Sequence, residues 1–185
     1  MKRLCLVVLM CLLLCSCDAG DDCIQRGLQF RENLLSRSCS FAAQVTADYG
    51  DKSYTFRIGC TAQTNGDVSF IVIAPESIAG IEGNIKADSG FLTFTDAVLA
   101  FPLLADGEVS PVSGPWLMIK SLRSGYLSKA GMDGDMLLLT LNDSYEEEAL
   151  QVDVWLDDEN LPIQADILWQ GRRVLSIEIE DFAFV

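Results

Sequence analysis

The chain contains no histidine among its 185 residues. That absence removes Ser-His-Asp and Cys-His catalysis, the usual zinc sites and the ordinary near-neutral pH switch. Basic residues are also scarce: 13 Lys+Arg stand against 27 Asp+Glu, a net charge of −14. A role that rests on neutralising phosphates is excluded, so nucleic acid is not an expected partner. There is no Gly-rich phosphate loop and no nucleophile elbow, and in so acidic a chain any one carboxylate pair is uninformative. Catalytic residues, cofactor and metal are accordingly expected to be none. The acidic groups Asp133-Gly134-Asp135, Asp143 with Glu146-Glu147-Glu148, and Asp157-Asp158-Glu159 lack the spacing and closing Glu of a calcium loop.

A membrane-spanning run is missing too. The apolar stretch Leu4 to Leu14 has eleven residues, short of the roughly 20 that cross a bilayer. Behind Lys2 and Arg3 it suits the apolar core of a secretory signal. Leu14-Cys15-Ser16-Cys17 then resembles the bacterial lipobox, which implies cleavage after Ser16 and diacylation of Cys17. Residues 1–16 read as a signal peptide, 17–22 as an acidic tether containing Asp18, Asp21 and Asp22, and 23–185 as one domain. The processed chain keeps 11 Lys+Arg against 27 Asp+Glu, net −16, and an anionic membrane surface repels it. The expected location is the extracytoplasmic face of the cell membrane, held by lipid (palmitate or a similar acyl chain) without a transmembrane helix.

Three thiols remain beyond Cys17. Cys39 and Cys60 fall roughly opposite one another in an implied hairpin around Gly50-Asp51. They form either a disulfide closing a loop of about 20 residues, worth on the order of 3 kcal/mol, or two buried free thiols. Cys23 has no evident partner.

Residues 22–36 read as a helix with Ile24, Leu28 and Leu35 on one face, widened by Leu34, and with Arg26, Arg31 and Glu32 facing water. After Ser36 the period becomes two. Phe41, Ala43, Val45, Ala47 and Tyr49 answer Tyr54, Phe56, Ile58 and Cys60 across the Gly50-Asp51 turn, and Asn65-Gly66 leads into Val68, Phe70 and Val72. Further strands are expected at 81–85, 91–94, 98–104, 136–141, 150–156, 162–169 and 173–182. Pro115 suits the first turn of a helix ending at Gly125, a natural C′ residue. Trp116, Leu117, Met118, Ile119, Leu122 and Tyr126 surround most of that helix, so it should be buried. The expected fold is α+β: a large curved antiparallel sheet, a half-barrel, with an N-terminal helix and a buried plug helix.

The acylated Cys, short N-terminal helix, long antiparallel meander and inset helix resemble the lipoprotein-carrier superfamily (LolA/LolB-like). The stretches 41–49, 75–81, 110–116 and 154–157 resemble uncharacterised lipoproteins of anaerobic Gram-positive bacteria. The resemblance implies a non-enzymatic protein that holds an acyl chain or other hydrophobic ligand between sheet and helix. Phe41, Val45, Phe56, Ile58, Phe70, Val72, Trp116, Ile119 and Leu122 then either line a lipid cavity or form an ordinary core. Lys120 and Arg123 either meet an anionic headgroup at the mouth or form the solvated edge of the helix. The alternative function is a ligand-free interaction or sensor module that docks an envelope protein on an exposed apolar patch.

Cys17→Ala is expected to release the domain into the medium or to leave unprocessed precursor in the membrane. Wild type should resist stripping by high salt and yield to detergent. Cell fractionation with mass spectrometry of the N-terminal peptide checks both outcomes.

Overall fold

The computed structural model describes residues 18–50, 52–86, 89–94, 97–101, 104–105, 108–144 and 149–185. The expected signal, Cys17, Asp51 and Glu146 to Glu148 lie outside them. Helix α1 spans Asp18–Ser36. Strands β1 (Cys39–Asp48), β2 (Ser53–Ala62), β3 (Val68–Ala74), β4 (Glu82–Lys86), β5 (Ser89–Phe94) and β6 (Ala97–Phe101) follow. A two-strand ladder, β7 (Leu104–Ala105) and β8 (Glu108–Val109), leads to helix α2 (Gly114–Ser124). Strands β9 (Tyr126–Asp133), β10 (Met136–Asn142), β11 (Gln151–Leu156), β12 (Pro162–Trp169) and β13 (Arg172–Phe184) close the chain.

Among the described residues one open antiparallel sheet has eleven strands, in the order β6-β5-β4-β3-β2-β1-β13-β12-β11-β10-β9. Two meanders therefore meet where the first strand pairs with the last. Ala43 faces Ile179, Val45 faces Ile177 and Ala47 faces Leu175 across that seam. Strict alternation drives the arrangement: along β1 every second residue from Cys39 to Ala47 is buried, and β10 and β11 repeat the pattern with Leu137, Leu139, Leu141, Val152, Val154 and Leu156. Shifting any of these strands by one residue would turn its apolar set to water. Each fully buried Leu or Ile contributes roughly 1.5–3 kcal/mol, so the register is strongly specified. Gly83 on β4 sits opposite Phe70 on β3, whose ring occupies the space a side chain would need.

Both helices pack on this inner face. The packing reverses one expectation. Helix α1 buries Cys23, Gly27, Phe30 and Leu34, while Ile24, Leu28 and Leu35 are exposed. Gly27 decides the orientation, because a Cβ there would lie 2.8 Å from Leu139 Cδ2. Phe30 then enters an aromatic cluster with Phe182 and Phe184, ring centroids 6.0 and 5.8 Å away. The helix also begins earlier than 22: the expected tether residues Asp18 to Asp22 are helical. Asp21 and Asp22 within the first turns favour that extension through the helix dipole.

Two further differences concern the second helix. Its terminal Gly125 has φ −65° and ψ 154°, not a left-handed conformation. Glycine is needed there because a Cβ would approach the Ser121 carbonyl at 2.6 Å. Strand β9 follows at once, in a stretch for which no strand was expected. Its sequence Tyr-Leu-Ser-Lys-Ala-Gly-Met-Asp does not alternate cleanly, and its pairing with β10 is irregular between Thr140 and Leu141.

Candidate functional site

Helix α2 is the link between the sheet and the surface. Gly114 to Ile119, Ser121 and Leu122 are all buried. The last carbonyls of a helix have no partner within it and need donors from elsewhere. Arg31 on α1 supplies them: its Nε donates to the Leu122 carbonyl and its Nη2 to the Gly125 carbonyl, each at 2.7 Å. Burial pulls the Arg31 pKa below its ordinary value. Arg123 returns the contact, donating from Nη1 to the Leu34 carbonyl at 2.7 Å and from Nη2 to the Thr64 carbonyl. Two arginines thus clasp α1, α2 and the β2–β3 turn. Arg31, expected to face water, is instead a structural donor.

The nine side chains singled out between sheet and helix come together in one hydrophobic core. Phe41, Val45, Phe56, Ile58, Phe70, Val72, Trp116, Ile119 and Leu122 are 0–7% exposed. Lys120 and Arg123 are also brought together, beside Trp116. The Lys120 ammonium sits 4.8 Å from the Trp116 ring centroid, a cation–π contact. With Leu35, Asn65 and Asp67 they line a surface groove of about 390 Å³. Arg123, however, spends its donors on carbonyls within the protein.

A larger groove of about 870 Å³ lies on the other side of Ser124, bounded by Ile24, Leu28 and Arg31 of α1 and by Tyr126, Leu127 and Asp143. Its apolar rim is open to water: Ile24 is 40% exposed, Leu28 38% and Tyr126 49%, and Leu35 at 48% continues the stripe toward the smaller groove. These are large apolar side chains at helical spacing on one face. The sequence pattern groups Ile24, Leu28 and Leu35 on one face of the helix, opposite the residues expected to face water, and the structure leaves that face exposed. Leu127 and Asp143 were missed as a groove wall, because only the pairing of β9 with β10 brings them beside α1.

The disulfide alternative for Cys39 and Cys60 is not the state found, since both are free thiols. In the β1–β2 register Cys39 faces Ala62 and Cys60 faces Phe41, so the two are diagonal neighbours. Diagonal Cβ atoms stand roughly 7 Å apart, beyond the roughly 3.5–4.5 Å that a disulfide bridges. Burial pushes the Cys39 thiol from 9.0 up to about 11, with Arg123 pulling the other way, and burial also pushes Cys60 up. Cys23 is a third buried free thiol. The acidic turn residues have backbone tasks. Asp157 Oδ1 accepts from the Leu161 amide and Asp143 Oδ1 from the Leu150 amide, both at 2.8 Å. Among the described residues no group of three or more Cys, Asp or Glu is placed to hold a metal ion, and no helix is long and apolar enough to cross a membrane.

No family model matches the sequence, and no curated protein matches it. Several solved structures are similar in the course of the chain. A LolA superfamily protein from Nitrosomonas europaea is 12% identical with a TM-score of 0.43, over 86% of this chain and 93% of its own. A putative outer membrane lipoprotein-sorting protein domain from Vibrio parahaemolyticus is 13% identical with a TM-score of 0.48, over 85% and 90%. A chain from the complex of the CwlD amidase with the GerS lipoprotein of Clostridioides difficile is 14% identical with a TM-score of 0.46, over 85% and 92%.

Arg31→Met is expected to cost about 2–4 kcal/mol, since it removes two charge-assisted hydrogen bonds and leaves two half-buried carbonyls unanswered. Arg31→Lys should recover part of the loss. Urea unfolding of the three proteins, compared by midpoint at constant slope, checks this.

Proposed function

We propose that the protein is a non-enzymatic, extracytoplasmic lipoprotein, anchored through Cys17, that docks an apolar segment of an envelope protein on the α1–α2 surface. One observation carries the reading. The nine side chains that could have lined a cavity are packed in the core between sheet and α2, while Ile24, Leu28, Leu35 and Tyr126 stay exposed along two adjoining grooves. Exposed apolar side chains grouped in this way mark an interaction surface. The surface begins six residues after Asp18 and so lies beside the proposed anchor. A net charge near −16 for the processed chain opposes contact with an anionic bilayer and favours a protein partner.

A second reading places a hydrophobic ligand between the sheet and α2, the plug of a half-barrel. The nearly all-round apolar surface of α2 favours it, and it requires α2 to move. The two readings separate in one experiment. A photoreactive residue at Leu28 should cross-link one dominant membrane-associated protein, and Ile24→Asp should remove that adduct while changing stability by no more than about 0.5 kcal/mol. A lipid that co-purifies with the chain, appears in native mass spectrometry and is retained in Ile24→Asp would support the second reading against the first.

A further inference from the structure

Helix α1 begins at Asp18, the residue next to the proposed anchor Cys17. A helix in that place leaves no flexible spacer, so the faces of α1 are tied to the direction in which the anchor leaves. Ile24, Leu28 and Leu35 follow position 17 by 7, 11 and 18 residues. At about 100° per residue all three fall within about 20° of its direction. The inward face of Cys23, Gly27, Phe30 and Leu34 is centred roughly 110° away. The exposed apolar side chains therefore stand in one row with the lipid-bearing position, about 10 to 27 Å from it along the axis.

The border of this row carries charge of one sign. Asp21 and Glu32 are exposed and flank it on the helix, and Asp143 forms part of the groove wall beside it. Arg31 lies in the same sector, but its guanidinium is turned onto the Leu122 and Gly125 carbonyls. The side chains left to meet a partner at the border are acidic. Such a border is repelled by an anionic bilayer and attracts Lys or Arg of another protein. An apolar row at helical spacing along a groove fits a helix laid against it.

We infer that α1 turns this row toward the membrane holding Cys17, and that its occupant is the membrane-proximal segment of an integral membrane protein. That segment is an amphipathic helix with Lys or Arg beside its apolar face. The inference rests on the anchoring and docking proposed above, and adds where the partner lies and what chemistry it presents.

The test rotates the row about the anchor. Two alanines inserted after Asp18 turn the rest of α1 by about 200° relative to Cys17, and seven bring it back to within about 20°. Each full-length chain carries a photoreactive residue at Leu28 and is cross-linked in intact membranes of its own host. The natural spacing should give an adduct within a basic amphipathic segment adjoining a transmembrane span of the partner. The two-alanine chain should lose at least tenfold in adduct yield, and the seven-alanine chain should recover at least half of it. Yield that survives the two-alanine insertion, or that seven alanines do not restore, would overturn the inference while leaving docking itself intact. A protein partner without a transmembrane span would do the same. Adducts with lipid alone would show the bilayer covering the row and overturn the inference, and no adduct at the natural spacing would remove the docking reading together with it.

Discussion

A helix buried on nearly every side must find donors for its last carbonyls inside the protein, and this requirement organises the molecule. Helix α2 ends at Ser124, where the Ser121 carbonyl accepts the Gly125 amide and the Leu122 and Gly125 carbonyls are left to other donors. Arg31 meets two of those carbonyls, and Arg123 ties the same end to Leu34 and Thr64. Because Arg31 belongs to α1, the donors also fix how α1 lies. Cys23, Gly27, Phe30 and Leu34 must then face inward, and Ile24, Leu28 and Leu35 are left outside. The exposed apolar stripe of α1 is thus a consequence of how the end of α2 is capped.

The sheet makes that burial possible. Pairing β1 with β13 joins two antiparallel meanders, and residues from both halves converge beneath α2: Ile177 and Leu175 come within 3.2 Å of where a Gly114 side chain would stand. Phe56, Ile58, Leu139, Val154 and Ile167 complete the same core from strands on either side. In such a close-packed interior, each side chain is felt by its neighbours. The outer face follows other rules. It carries ion pairs such as Arg57 with Glu180 and Arg173 with Asp166, and it exposes Ile71, Ile73 and Phe91 in one region.

The two-residue period made most of the sheet legible in the sequence. The strands from β1 to β3 and from β10 to β13 alternate with few exceptions, and Gly50, Gly66, Gly134 and Gly171 have the positive φ that tight turns need. The burial of Trp116, Ile119 and Leu122 was legible from their spacing around the helix. What escaped reading depended on contacts between distant segments. A helical wheel of α1 favours Ile24 and Leu28 as the core face, and the approach of Leu139 to Gly27 together with the Arg31 contacts to α2 reverses that choice. Strand β9 has a weak local signal and exists because β10 offers it an edge. Gly125 was recognised as a helix terminator, but its reason is the Ser121 carbonyl and not a left-handed turn. The two cysteines lie on the same face of one hairpin, as their alternation implies, yet the register sets them one step apart.

The account stands on α2 being a fixed part of the core, with partners meeting the protein outside it. Hydrogen exchange of the backbone amides measures this most directly, since local opening free energies differ between core elements and mobile ones. Amides of Met118 to Leu122 should exchange as slowly as those of β1 and β13, and more slowly than those of the exposed first turns of α1. Exchange at Met118 to Leu122 that is at least a hundredfold faster than in β1 would contradict the account, because it would make α2 a displaceable element over a ligand space.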